Sequence, residues 1–232
     1  MEKPAALLYA DAMSAMSRGA LDEGTRGIES ALAAGLRMGL VPDAHANLGT
    51  AFSMLGRNDE AAVQYILSLR LRPGSSMAHY NLGILSADMG RTGEAEAHYR
   101  RALSLGRFGG QTLSLGEVYN NLGNLLVGRR AEQMAAFEAS IALAPTHALA
   151  YNNYGNMLKA EADDDAAALA ATRTRTVAAA VRHYRMAMVL RPAYPAAYTN
   201  LGSVLKERHT TRMPRDRLEP TTGSSAPIVR HT

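Results

Sequence analysis

One tripeptide that returns at a fixed phase constrains this chain more than any other feature. Asn-Leu-Gly stands at 47–49, 81–83, 121–123 and 200–202, with Asn-Tyr-Gly at 153–155. Leu48 and Leu82 are 34 residues apart. Each copy carries apolar residues at helical spacing, a break at Gly56 or Gly90, and then a second helical run. Gly49, Gly83, Gly123, Gly155 and Gly202 fall in the middle of the first helix of each copy. A helix-interior glycine costs roughly 1 kcal/mol relative to alanine, so glycines at one phase mark a close helix–helix approach. The expected partner is a small residue of the second helix, such as Ala61, Ala95 or Ala180. Bulky residues then fill the space beside it: Phe52 or Leu158 on the first helix, and Tyr65, Tyr99 or Tyr184 on the second. Pro73, Pro145 and Pro192 stop the second helix, because proline cannot continue one. A generic helical bundle would not keep glycine and proline in phase.

The copy at Pro42 carries His45, Leu48, Gly49, Phe52, Ala61, Tyr65 and Pro73; the next carries His79, Leu82, Gly83, Ala95, Tyr99 and Ala102. This order of residues over 34 positions resembles the tetratricopeptide repeat. The resemblance implies an all-α fold, an α-solenoid in which stacked helical hairpins wind into a right-handed superhelix. It covers about 42–208, divided as 42–75, 76–109, 116–147, 148–194 and a half repeat at 195–208. Residues 1–40 read as a degenerate N-terminal repeat, with Gly19, Gly24, Ile28, Ala31 and Leu32 fitting a second helix. Residues 209–232, rich in Pro, Ser, Thr and Arg, cannot bury enough apolar surface to order themselves and read as a disordered tail. The array ends on an unfinished repeat, the mark of a fragment or an aberrant gene model.

Two irregularities interrupt the spacing. Leu82 and Leu122 are 40 residues apart, and the surplus falls in the glycine-bearing stretch 107–115, expected to be a loop. Counting back from Pro145 places Phe137 at the bulky position of the third copy and Gln133 at its small site. In the fourth copy the surplus lies in 163–175, where Asp163, Asp164 and Asp165 look like the N-cap of an early second helix. That helix would project beyond the array, or form an acidic and basic knob for a partner.

Little in the chain could carry chemistry. The absence of cysteine excludes disulfides, thiolate metal sites and cysteine nucleophiles. Seven histidines show no ligand spacing; His45 and His79 hold the large first-helix position, while His98 and His183 precede packing tyrosines. No phosphate loop, nucleophile elbow or dinucleotide fingerprint is present, so neither catalysis nor a cofactor nor a metal is expected. The net charge of +4 is partly local, since Arg212, Arg215, Arg217 and Arg230 face only Asp216 and Glu219 in the tail. The body lacks the dense basic patch of a nucleic-acid binder. No run approaches 18 apolar residues, so no membrane insertion is expected. Glu2 and Asp11 make the start a poor secretory signal, which points to the cytoplasm, or the nucleus.

The remaining candidate is the asparagine of each tripeptide. Stacked repeats would line Asn47, Asn81, Asn121, Asn153 and Asn200 along a concave, solvated wall, doubled by Asn120, Asn124, Asn152 and Asn156. A carboxamide both donates and accepts, so such a ladder can bond an extended peptide backbone whatever its side chains. Lys159 and Lys206, one turn further on, would add positive charge. The ladder, with LGSVLKE at 201–207 and YGNMLKA at 154–160, resembles the repeat superhelix of O-GlcNAc transferase. Membrane-bound mannosyltransferases with C-terminal repeats carry similar tracts, and asparagine here is also a general preference of the repeat family. The carboxylate-clamp adaptors place lysine just before the ladder asparagine; this chain has Ala46, Tyr80, Asn120, Asn152 and Thr199. The expectation is a protein-interaction scaffold that binds a protein or an extended peptide. The alternative is the substrate-recruiting segment of a glycosyltransferase whose catalytic domain is absent from this chain.

Overall fold

The computed structural model describes residues 3–106, 114–164 and 170–212. Among these, all regular structure is helical: α1 (Ala5–Ser17), α2 (Leu21–Ala33), α3 (Val41–Met54), α4 (Asn58–Leu71), α5 (Ser76–Asp88), α6 (Thr92–Gly106), α7 (Leu115–Leu125), α8 (Arg130–Leu143), α9 (Ala148–Asp164), α10 (Ala170–Leu190) and α11 (Pro195–Arg212). From α1 to α10 each helix of odd number packs on the even one after it, each such hairpin packs on the next, and α11 packs on α10 and α9. This is an α-solenoid of stacked helical hairpins.

Local chemistry sets the helix ends. The Oγ of Ser75 accepts from the Ala78 N–H at 3.2 Å, capping α5, and Ser114 caps α7 in the same way. Asp22 and Glu23, Asp59 and Glu60, and Glu94 occupy first turns, where carboxylates oppose the helix dipole. At the end of α3, Gly56 takes φ +74°. Its N–H then reaches Ser53 O, and that of Arg57 reaches Phe52 O, closing a Schellman turn into α4. The second helices α4, α8 and α10 end two residues before Pro73, Pro145 and Pro192.

The array curves toward its first helices. α3, α5, α7, α9 and α11 each touch the next in the row, whereas α4, α6 and α8 stand further from one another. Side-chain length follows this asymmetry. Across the wide side, Arg100 reaches Glu132 at 2.7 Å and Arg129 reaches Glu96, joining α6 to α8 through long side chains. Across the narrow side, short carboxamides suffice. Apolar packing is correspondingly split into three clusters, around Leu48 and Phe52, around Val118 and Leu122, and around Leu158 and Tyr184.

The glycines work differently from the expectation of an alanine facing each one. A Cβ on Gly49 or Gly83 would stand 2.7 Å from the ring of Tyr65 or Tyr99; on Gly123, 2.8 Å from Phe137; on Gly155, 2.7 Å from Tyr184. The aromatic ring itself lies on the glycine. Ala61, Ala95 and Ala180, one turn earlier, are fully buried and let the helix axes approach. In the α7–α8 hairpin Gln133 holds that earlier position and donates to the Gly123 carbonyl at 3.1 Å.

The stretch 107–113 lies outside the described residues, but Leu115 already belongs to α7, with its side chain against Gly106. The surplus of the fourth copy falls at the junction of two long helices, α9 and α10. Asp163 and Asp164 form the end of α9 rather than an N-cap of the next helix, because the alanine-rich sequence lets α9 continue for 17 residues. Asp165 lies outside the described residues. Asp163 pairs with Lys159 at 2.9 Å and with Arg173 of α10 at 3.7 Å, so the acids and bases of this insertion partly neutralise each other. α11 continues to Arg212, four residues into the stretch expected to be disordered; residues 213–232 lie outside the description.

Candidate peptide-binding groove

The ladder asparagines fall on the narrow side of the curve, in the row of first helices. Their amides bond along the row. Asn47 donates to the Tyr9 hydroxyl at 2.7 Å, Asn81 to Thr50 Oγ1 at 3.4 Å, and Asn121 to the Tyr80 hydroxyl at 3.1 Å. Asn153 donates to Asn120 Oδ1 at 3.1 Å, and Asn200 to Asn152 Oδ1 at 3.0 Å. In every case the acceptor belongs to the preceding first helix.

Sequence reasoning missed these acceptors, although their signal was present. Tyr80, Asn120 and Asn152 each stand one residue before a ladder asparagine and accept from the ladder asparagine of the following repeat. Where that residue is Ala46, no acceptor exists and Asn81 turns to Thr50. From Asn200 the bonds run without a break. Asn200 donates to Asn152, Asn152 to Asn153, Asn153 to Asn120, Asn120 to Asn121, and Asn121 to Tyr80. Burial raises the pKa of Tyr80, and the nearby Glu117 raises it further, so the phenol stays protonated.

These bonds correct the expectation of a solvated ladder. Asn120 and Asn152 are 1% and 4% exposed, beyond reach of a ligand. Their Oδ1 atoms would otherwise be buried without a partner, and the following repeat supplies one. Asn47, Asn81, Asn121, Asn153 and Asn200 are half-buried and commit an Nδ2 donor to a neighbouring helix.

Hydrogen-bonding capacity left for a ligand is concentrated further along. Asn124 is exposed and has no side-chain partner among the described residues. Asn156 is exposed and uses only Oδ1, which accepts from the Tyr184 hydroxyl and from Asn200, both at 2.9 Å. Two adjoining cavities meet there. One of about 460 Å³ is lined by Asn124, Gln133, Asn153, Asn156 and Glu161; the other, about 300 Å³, by Asn156, Lys159, Asp163, Tyr184, Asn200 and Ser203. Both include Ala160 in their lining. Arg130 holds Glu161 at 2.7 Å and Lys159 holds Asp163, so the charges at this groove are already paired. Asn47, Asn81 and Asn121 lie outside both cavities, as does Lys206, which is exposed on α11.

The histidines pack across the hairpins. His45 meets Gln64 at 2.8 Å, His79 meets His98 at 3.1 Å, and His183 lies against Tyr154. Among the described residues no three His, Asp or Glu side chains group to hold a metal ion. No described helix is long and apolar enough to cross a membrane.

Known proteins bear out the fold. Residues 78–105, most of the α5–α6 hairpin, match the family model of the tetratricopeptide repeat. The fold is thus an α-solenoid of helical hairpins of the tetratricopeptide-repeat kind. Solved structures of the same shape include PilF of Pseudomonas aeruginosa, 18% identical over 89% of this chain and 86% of its own, with a TM-score of 0.70. MamA (residues 41 to the end) of Desulfovibrio magneticus RS-1 is 18% identical over 83% of this chain and 98% of its own, at 0.64. YrrB, described as a TPR protein with an unusual peptide-binding site, is 18% identical over 83% and 89%, at 0.59. At such identity the likeness concerns fold alone. No curated protein matches the chain in sequence. The resemblance to O-GlcNAc transferase therefore rests on the asparagine ladder, whose side chains serve the neighbouring repeats.

Proposed function

We propose that this chain is a non-catalytic protein-interaction scaffold, acting in the cytoplasm or nucleus, that holds an extended peptide in the groove along α7, α9 and α11. The observation that carries this reading is the pair of uncommitted carboxamides, Asn124 and the donor side of Asn156, in adjoining cavities. Spaced along one wall, they suit the alternating N–H and C=O of a peptide backbone. Paired charges at the groove leave no net field to select an acidic or basic ligand. YrrB, of similar fold, is described as having a peptide-binding site, which supports the class of ligand. The glycosyltransferase-linked alternative gains no support, since the ladder has a sufficient structural use between repeats.

Peptides selected from a randomised library against the full chain test the reading. Asn124→Ala leaves no internal partner behind, and Asn156→Asp keeps the oxygen that Tyr184 and Asn200 use while removing the free donor. A lost hydrogen bond is worth roughly 0.5–1.5 kcal/mol, so each change should weaken binding about two- to tenfold, whatever the peptide sequence. Affinities that ignore both changes overturn the groove as the binding site.

A further inference from the structure

On the wide side of the curve, the gap between second helices is bridged in one place and open in another. Between α6 and α8, Arg100 pairs with Glu132 and Glu96 with Arg129. Counted from the packing ring of each hairpin, the same four positions between α4 and α6 hold Ile66 with Glu94 and Ala62 with Arg91. An alkyl side chain answers neither charge. Arg91 and Glu94 turn to each other instead, at 3.9 Å, and no ion pair of the described residues spans the gap. What remains is a cavity of about 330 Å³. The buried Leu82 and Leu85 of α5 form its floor, with Ile66 and Leu69 of α4 beside them. Every lining residue lies in α4, α5, α6 or the turn between the last two, all within the described residues. Arg70, one turn after Ile66, also lines it and has no side-chain partner among the described residues.

We propose that this cavity takes a large apolar side chain of a partner polypeptide whose neighbouring Asp or Glu pairs with Arg70 and Arg91. Charge selects the occupant. Two arginines and a single acid, Glu94, line the cavity, so it carries net positive charge. Arg129, in the equivalent place before α8, receives the carboxylate of Glu96; Arg91 lacks that carboxylate, and the partner supplies it. The apolar floor then favours an anion that brings a hydrophobic side chain with it. A volume at the small end for ligand sites holds one or two side chains rather than a whole helix. The cavity lies among the second helices, apart from the groove along α7, α9 and α11, and does not depend on it.

A randomised peptide library displayed on phage and selected against the full chain is the probe, each clone being measured again on variants. We expect clones that join Leu, Ile, Met or Phe to a nearby Asp or Glu. Ala62→Glu combined with Ile66→Arg rebuilds between α4 and α6 the bridges of α6 and α8. It should weaken these clones at least tenfold while the melting temperature stays at or above that of the parent. Arg70→Gln, on an exposed side chain, should also weaken them at least tenfold, and it decides the matter should the double change unfold the chain. Asn124→Ala and Asn156→Asp should leave them unchanged. Absence of such clones overturns the proposal, and so do clones that ignore both the double change and Arg70→Gln, or that follow Ile66 without carrying an acid. Saturable binding of decanoate where no peptide binds would assign the cavity to a free amphiphile and overturn the polypeptide partner. In sedimentation of the chain alone, a dimer that the double change dissociates would assign it to a second copy and overturn the proposal, whereas a monomer agrees with it.

Discussion

The Nδ2 of Asn153 donates to the Oδ1 of Asn120, 3.1 Å away on the preceding first helix. Asn120 is 1% exposed, so this bond satisfies an acceptor that water cannot reach. The ladder therefore ties repeats to one another.

Asn153→Ala should consequently destabilise the fold. Removing the donor leaves Asn120 Oδ1 buried without it, a loss of about 1–3 kcal/mol. Urea unfolding of the variant checks this. Asn124→Ala, which breaks no side-chain bond among the described residues, should stay within about 0.5 kcal/mol of the parent.

Glycine substitutions should divide by position. Gly83→Ala and Gly123→Ala drive a methyl into Tyr99 and Phe137, and overpacking of this kind costs roughly 1–3 kcal/mol. Gly202→Ala meets nothing among the described residues and replaces a helix-interior glycine, so it should stabilise by up to about 1 kcal/mol. Thermal melts of the three variants test the contrast, and equal effects would contradict the ring-on-glycine packing.

Acid should weaken the fold through its histidines. Burial lowers the pKa of His79, His98 and His183; neighbouring charge adds to this for His79 and His183, while Glu94 and Glu138 oppose it at His98 and His183. Depressed imidazoles resist protonation in the folded state, so the unfolded chain binds more protons as the pH falls through the ordinary histidine value near 6.5. Stability should decline from there down to the folded-state pKa values and depend little on these groups above pH 7.5. His98→Gln should flatten part of that decline in melts taken from pH 7.5 to 5.5. The half-buried Glu96, held below the usual carboxylate range by Arg129 and Arg100, acts only in more acid solution.

Deletion of 213–232 should leave the helical circular dichroism signal unchanged. The expectation rests on sequence alone, since this stretch has three prolines and no periodic apolar pattern. A lowered melting temperature would show that it covers part of the array.

The all-helical solenoid was legible because glycine and proline each have few uses inside helices, and their common phase leaves one architecture. The identity of the glycine's neighbour was not legible. Spacing alone does not tell whether Ala61 or Tyr65 stands over Gly49, because both lie on the same face of α4 one turn apart. The row of asparagines was visible, but its orientation was not. A carboxamide two positions before a buried glycine can face solvent or the next helix, and Tyr80, Asn120 and Asn152 decide in favour of the helix. Those acceptors become meaningful in sequence once the residue before each ladder asparagine is compared with the ladder asparagine of the following copy. At 163–175, alanine-rich sequence is compatible with lengthening either helix of the hairpin, and packing of α9 against α10 extends both.

The division of apolar packing into three successive clusters bears on how the polypeptide is made. Asn200 to Asn152, the farthest-reaching of the ladder bonds, joins residues only 48 positions apart. A chain emerging from the ribosome can thus bury Phe52 against α4 and complete its first hairpins while the asparagines of α9 are still untranslated. Such low contact order favours rapid, vectorial folding, in which each finished hairpin is the template on which the next one settles.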